Sequence, residues 1–280
     1  MFSTNKETAW CPGCGNFGIL EALKEALDSL NLEPHQVVIS SGIGQAAKTP
    51  QYISANMFNG LHGRSLPAGI GIKLANKHLT VIVESGDGCS YGEGGNHFVH
   101  AVRRNLDITH LVHNNQVYGL TKGQASPTTA RHQRTELQSD GVQLQPINPL
   151  ALALTLGAGF VARGFFADKK HLAALIAEAV SYPGYALVDI LQTCPTFNKV
   201  NTFKWYKDRA YYLPADYDSS DLSAARLKVE EVGERLPLGI IYKRQTAEYA
   251  AHNPVLSANP PLVDLPLNPT DAQKFMDEFR

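Results

Sequence analysis

Apolar positions along the chain follow two periods in turn, one suited to helices and one to buried strands. Residues 17–30 place them at helical spacing behind Asn16, a residue type suited to capping, and Pro34 ends the pattern. Val37-Val38-Ile39 is then a short β-branched run of the buried-strand kind, leading into Ser41-Gly42-Ile43-Gly44. A helical pattern over 65–77, weakened by two glycines, precedes the strand-like run 79–83 and the turn Gly86-Asp87-Gly88. A helix over 96–104 precedes the strand 108–112, which runs into Asn114-Asn115. Helix 149–156, strand 159–163, helix 171–180 and strand 186–191 complete the series and lead into Cys194-Pro195-Thr196. Strands alternating with helices predict an α/β fold, a doubly wound, mostly parallel sheet with helices on both faces.

Two stretches break the series. Residues 121–146 are polar, rich in Gln, Thr and Ser, and without periodicity; a loop of that length inside a compact domain is usually functional or mobile. From about residue 206 prolines and aspartates become frequent, one amphipathic helix is expected over 224–235, and residues 253–269 hold five prolines. The chain therefore divides into an α/β domain over 1–205, which opens on a cysteine-bearing turn, and a C-terminal arm over 206–280 that packs on the domain or on a partner. No internal repeat is present.

Composition changes the picture mainly by exclusion. A hydrophobic fraction of 44% over 280 residues suits one large core. A net charge of −1 and a pI near 6.8 offer no electrostatic case for nucleic acid or an anionic membrane. No apolar stretch approaches the roughly 20 residues needed to span a bilayer, and residues 1–10 lack the basic-then-apolar layout of a secretory signal. A cytoplasmic protein is the expectation. There, Cys11, Cys14, Cys89 and Cys194 point away from disulfides. Cys11-Pro12-Gly13-Cys14 is a CxxC turn shaped by Pro and Gly, which suits an iron–sulfur cluster, another metal or thiol redox chemistry. Structural zinc at this pair is an alternative, although no histidine stands at finger-like spacing.

In an open parallel sheet, ligands bind beyond the carboxyl ends of the strands. Three turns lie at such ends, at 41–44, 86–88 and 114–115. Glycine there lets the backbone approach a phosphate, and N–H groups at a helix start favour an anion. Asp87 offers a carboxylate for a hard divalent ion, and Asn115 a neutral amide oxygen one strand later. Mg²⁺ takes six oxygens and commonly draws only a few from protein, the rest from phosphates and water. GDG alone is common. GDG, 25 further residues and then NN resembles the fingerprint of thiamine-diphosphate enzymes, in which the backbone carbonyl two residues past the second asparagine, here Val117, joins the metal shell.

Residues outside that fingerprint extend the resemblance. Trp10-Cys11-Pro12-Gly13-Cys14-Gly15, His62-Gly63-Arg64, Asn96-His97, Arg103-Arg104-Asn105, the run from Tyr118 to Thr128 and Pro237-Leu238-Gly239-Ile240-Ile241-Tyr242 are similar to the β subunits of 2-oxoacid:ferredoxin oxidoreductases, over roughly residues 8–245. The resemblance implies thiamine diphosphate and Mg²⁺, with Asp87, Asn115 and the Val117 carbonyl as metal ligands. It places Gly86, Gly88, Gly119, Leu120 and Thr121 along the diphosphate and thiazolium, and Ile43, Gly44 and His62 beside the cofactor. It further implies an α subunit that supplies the glutamate activating the aminopyrimidine, coenzyme A as acyl acceptor, and ferredoxin reached through a [4Fe–4S] cluster. The implied reaction is oxidative decarboxylation of a 2-oxoacid, with the cofactor as electron sink. Lys48, Leu120 and Lys122 match residues that accompany acceptance of 2-oxoglutarate or a broad range of 2-oxoacids. A lysine near the site can pair with the second carboxylate that pyruvate lacks. His62, Lys48, Leu120 and Lys122 are thus the candidate catalytic residues.

Two positions depart from the resemblance. It implies four cysteine ligands, of which Cys11, Cys14 and Cys194 fill three places, whereas the place after Gly42-Ile43-Gly44 holds Gln45. Relatives read GDGD where this chain has Gly86-Asp87-Gly88-Cys89, so Cys89 is the expected replacement ligand from a neighbouring strand end. A three-iron cluster, or none, are the alternatives. The last case would make the protein a cluster-free thiamine-diphosphate-dependent decarboxylase or oxidase. A non-catalytic regulatory or assembly subunit is a further alternative, against which the intact GDG and NN speak. His97 and His100 are expected to pack behind the GDG turn, His110 and His113 to share one side of their strand, and Arg64 to meet an anion or a carboxylate.

Overall fold

A computed structural model of the chain describes residues 1–266 and 268–279. Its strands are β1 (Val37–Ser41), β2 (Asn56–Asn59), β3 (Thr80–Gly86), β4 (Ile108–Asn114), β5 (Phe160–Phe165), β6 (Tyr185–Leu191), β7 (Ala210–Tyr212) and β8 (Leu236–Lys243). They form one eight-stranded sheet in the order β2-β1-β3-β4-β6-β5-β8-β7. From β2 to β5 in that order neighbours run parallel, β8 is antiparallel to β5, and β7 is parallel to β8. Every residue of β1, β4, β5 and β6 is buried. Burial on both faces explains why these strands read as near-continuous apolar runs rather than as alternations.

Helices α1 (Asn16–Ser29) and α5 (Lys169–Val180) cover one face, where Ile19, Leu23, Leu172 and Ile176 pack with Ile39, Ile82 and Leu111. The other face carries α2 (Ser65–Ala75), α3 (Gly95–Arg104), α4 (Pro149–Thr155) and, past the short α6 (Phe203–Lys207), α7 (Leu222–Val229). There Leu66, Phe98, Leu150 and Val229 pack with Val83, Val112 and Leu187. Each such large side chain, fully buried, contributes roughly 1.5–3 kcal/mol relative to exposure. The short helices α8 (Tyr249–His252) and α9 (Pro254–Ala258), followed by α10 (Pro269–Asp277), close the chain. Among the described residues no helix is long and apolar enough to cross a membrane.

Several expectations are corrected. The boundary at 205 falls inside α6, and the segment beyond it is not simply an arm. β8 enters the sheet, with Tyr242 opposite Val161 and Ile240 opposite Ala162. The helix expected over 224–235 spans Leu222–Val229, started by Asp221, whose carboxylate accepts the Ser223 and Ala224 N–H groups. Strand β2 was invisible because all its residues are exposed at the sheet edge, which leaves no apolar run. Asn16 does not cap α1. It is the first helical residue, and its buried side chain accepts from Gln192 at 2.6 Å and lies 2.8 Å from His113 Nδ1. His110 and His113 point to opposite faces, because an odd separation changes side in a strand. His110 meets Ser90 and Tyr185, and His113 meets Glu84 and Asn16.

Candidate functional site

The carboxyl ends of β1, β3 and β4 open into one cleft. Its walls include Ile43, Gly44, Gln45 and Ala46 after β1, His62 before α2, Gly86, Asp87 and Gly88 at the end of β3, and Asn115, Val117, Gly119, Leu120 and Thr121 after β4. Every cofactor-lining candidate read from the sequence is therefore brought to this cleft. Lys48 and Lys122 are not wall residues. Lys48 lies in the helical turn Ala46–Tyr52, and Lys122 sits at φ 76° in the turn after Leu120. His97 and His100 are half-buried on α3, outside the walls, and exposed Arg64 donates to its neighbour's carbonyl, Gly63 O, at 3.5 Å.

Asp87 is held by the long polar loop. Its Oδ2 accepts from Ser126 Oγ at 2.5 Å and Thr128 Oγ1 at 2.6 Å. Burial pushes its pKa up to about 6 in spite of these donors. A buried carboxylate of this kind is stabilised by a cation. Among the described residues no Lys or Arg lines the cleft, so the charge of a diphosphate placed there calls for a metal. Asp87, the Asn115 amide and the Val117 carbonyl are hard oxygen donors of the type Mg²⁺ prefers. Asn115 Oδ1 accepts the Val117 N–H at 3.0 Å, and Gln116 between them adopts φ 57°, a conformation that side chains adopt only where surroundings enforce it. The donor set thus fits Mg²⁺ with a diphosphate.

At Gly88 a Cβ would stand 2.3 Å from the Tyr118 ring, so its bareness also seats Tyr118 beside the cleft. Tyr118 donates to Glu93 at 3.1 Å, and His62 Nδ1 lies 3.0 Å from the same carboxylate. Cys89 fills the gap between the end of β1 and the loop before α2. Its Sγ accepts the Gly63 N–H at 3.2 Å and lies 2.4 Å from where a Cβ on Gly42 would stand.

Cys11, Cys14 and Cys194 line a separate cavity with Trp10, Gln45, Asn115, Gly119 and Gln192. Cys89 is not among its walls. The expectation that Cys89 supplies the missing ligand is corrected, because its sulfur is spent between Gly42 and Gly63. Burial raises the Cys14 thiol to about 11, with Cys194 and Cys11 adding like charge. Burial raises Cys194 too, while the N–H groups of Thr196, Phe197 and Asn198 aim at its sulfur. Such donors favour a thiolate. Gln45 shares this lining, its carbonyl accepting Trp10 Nε1 at 2.9 Å and its buried Oε1 without a hydrogen-bond partner. Among the described residues no three His, Cys, Asp or Glu side chains converge on a single ion. Three thiols in one lining are the donor type that an iron–sulfur cluster takes.

The two cavities share the walls Gln45, Asn115 and Gly119. A Cβ on Gly119 would lie 3.5 Å from Cys194 Sγ. Sequence reasoning missed Ser126, Thr128, Glu93 and the buried chain Glu84–His113–Asn16–Gln192, which ends 3.7 Å from Cys14 Sγ. The hydroxyl-rich loop 121–146 was the available signal for the first two.

Comparison with known proteins agrees with this geometry. Residues 35–190 match the thiamine pyrophosphate enzyme, C-terminal TPP binding domain. Residues 194–258 match the family formed by the C terminal part of the pyruvate ferredoxin oxidoreductase beta subunit. The chain is 45% identical over 275 residues to a 2-oxoacid:ferredoxin oxidoreductase subunit beta of Saccharolobus solfataricus, covering 91% of this chain and 90% of that one. It is 42% identical over 297 residues to the 2-oxoacid:ferredoxin oxidoreductase 1, subunit beta, of Aeropyrum pernix, covering 100% and 93%. A solved 2-oxoglutarate:ferredoxin oxidoreductase from Magnetococcus marinus, with 2-oxoglutarate, coenzyme A and succinyl-CoA bound, matches with a TM-score of 0.87 and 37% identity over 89% of this chain and 85% of that one. A thiamine-diphosphate-type cleft on this sheet and relatives alike over nearly the full chain lead to one conclusion: the protein belongs to the β subunits of the 2-oxoacid:ferredoxin oxidoreductases.

Proposed function

We propose that this protein, with its α partner, carries out coenzyme A-dependent oxidative decarboxylation of 2-oxoglutarate or a broad range of 2-oxoacids, passing electrons through an iron–sulfur cluster to ferredoxin. The observation that carries the reading is the shared wall, since Gln45, Asn115 and Gly119 line both the cofactor cleft and the cavity of the three cysteines. Electrons leaving a cofactor in the first would enter a cluster in the second directly.

Bound thiamine diphosphate supplies the electron sink that makes decarboxylation accessible. Asp87, Asn115 and the Val117 carbonyl would hold Mg²⁺, and Ser126 and Thr128 set the rotation of the Asp87 carboxylate. Leu120, 42% exposed, gives the cleft an apolar lip. His62 presents its imidazole at the wall, with Nδ1 3.0 Å from Glu93 Oε2. Asp87 in this lining is engaged by hydroxyls, and the family resemblance places the glutamate that activates the aminopyrimidine on the α partner. Lys48 and Lys122 follow wall residues Ala46 and Thr121 in the chain, where either could pair with the distal carboxylate of 2-oxoglutarate.

The test is the anaerobically co-purified αβ complex with ferredoxin as acceptor. Reduction should require both a 2-oxoacid and coenzyme A, and Lys48→Ala or Lys122→Ala should raise KM for 2-oxoglutarate while sparing pyruvate. Release of CO₂ without coenzyme A-dependent ferredoxin reduction would overturn the reading in favour of a cluster-free decarboxylase.

A further inference from the structure

We infer that the Gln45 amide oxygen is the fourth ligand of the metal centre held by Cys11, Cys14 and Cys194, which gives a cluster with one chemically distinct, removable iron. The inference rests on the cluster reading above and adds the identity and behaviour of its fourth corner.

Three observations carry it. Gln45 lines the same cavity as the three cysteines. Its Oε1 is buried and has no hydrogen-bond partner, which leaves its lone pairs available to a metal. Its backbone is pinned, because its carbonyl accepts Trp10 Nε1 at 2.9 Å and the Lys48 N–H at 3.4 Å. The side chain is therefore delivered from a fixed base. Gln192 Oε1 in the same lining is also without a partner, but its amide nitrogen is tied to Asn16 at 2.6 Å, and Cys89, outside this lining, accepts the Gly63 N–H.

An amide oxygen is hard and neutral, whereas iron–sulfur clusters are normally held by anionic thiolates. The iron at this corner is bound more weakly than the three on sulfur. Oxidation by one electron then ejects it: [4Fe–4S]²⁺ gives [3Fe–4S]⁺, Fe²⁺ and one electron, which an added oxidant such as ferricyanide accepts. One thiolate fewer also leaves the cluster less negative, which raises its reduction potential.

The experiment counts iron and records EPR on the anaerobic αβ complex, reconstituted with Fe²⁺ and sulfide. Iron is taken as the excess over a complex carrying Cys194→Ser. The wild type should hold about four irons per β chain, fall to about three with a three-iron EPR signal after one equivalent of ferricyanide, and recover with Fe²⁺ and reductant. Gln45→Cys should keep all four under the same treatment, and Cys89→Ala should behave as wild type. A wild type that resists ferricyanide as well as Gln45→Cys does overturns the inference and leaves the cluster reading standing. Loss of the fourth iron in reconstituted Cys89→Ala overturns it in favour of that thiol. Absence of bound iron in both wild type and Gln45→Cys overturns the cluster reading along with it.

Discussion

Thr128 Oγ1 lies 2.6 Å from Asp87 Oδ2, so a residue in the irregular loop after β4 holds the carboxylate at the end of β3. The same hydroxyl lies 2.9 Å from Asn114 Oδ1, and Ser126 donates a hydrogen bond to the Asp87 oxygen at 2.5 Å. Hydrogen bonds to a charged group are worth about 1.5–3 kcal/mol. Thr128→Val should therefore weaken binding of Mg²⁺ and thiamine diphosphate by roughly 10- to 100-fold. Adding Ser126→Ala should weaken it further. Cofactor titration of the αβ complex reads the effect, and an unchanged Kd in the double variant would show that the loop does not position the site.

Gly42 and Cys89 should be coupled. A Cβ on Gly42 would stand 2.4 Å from Cys89 Sγ, with its other near neighbours at 3.4 Å or more. Gly42→Ala is expected to destabilise by about 1–3 kcal/mol through overpacking. Cys89→Ala in the same chain should restore most of that loss. Thermal melting of the four forms measures the coupling, and simple additivity would contradict it.

Glu84 and His113 form a pair fully buried between β3 and β4, with Oε1 and Nε2 at 2.7 Å. Removing one partner leaves the other buried and unmatched. Glu84→Ala should cost about 3–5 kcal/mol, and Glu84→Gln, which keeps a hydrogen-bonding group there, distinctly less. Denaturant melts would distinguish this from a neutral core position, where both variants would stay near wild type.

His110 should set part of the acid limb of stability. It is buried against Ser90 and Tyr185, and desolvation lowers its pKa from 6.5 to about 3. Between these values the unfolded chain binds a proton that the native state refuses, so stability falls as pH drops from about 6.5 toward 3. The contribution is fully present above the unfolded value and amounts to at most ~5 kcal/mol at about 1.36 kcal/mol per pH unit. His110→Gln should flatten this limb in melts taken across the acid range. A limb as steep as that of the wild type would assign it to other groups.

Much of this was legible because backbone geometry and apolar burial act locally. The β-branched runs of β1, β3 and β4 needed no context, and the turns closing them became the three corners of one cleft. Less legible was whatever depended on a partner far along the chain. β8 lies in a proline-bearing stretch and joins the sheet by pairing with β5. β2 shows no apolar signal because it is an exposed edge. Asn16 has the composition of a cap, yet His113 and Gln192 draw its side chain into the interior.

By itself the sequence determined the α/β order, the GDG and NN turns and the cysteines near and far, since these are statements about residue type and spacing. Only the tertiary structure decided how those groups are shared out. It set Cys89 under Gly42, Gln45 beside the cysteine ring and the loop hydroxyls on Asp87. Side chains at the ends of neighbouring parallel strands meet through the crossing order of the sheet, and that order arises from the simultaneous burial of both its faces.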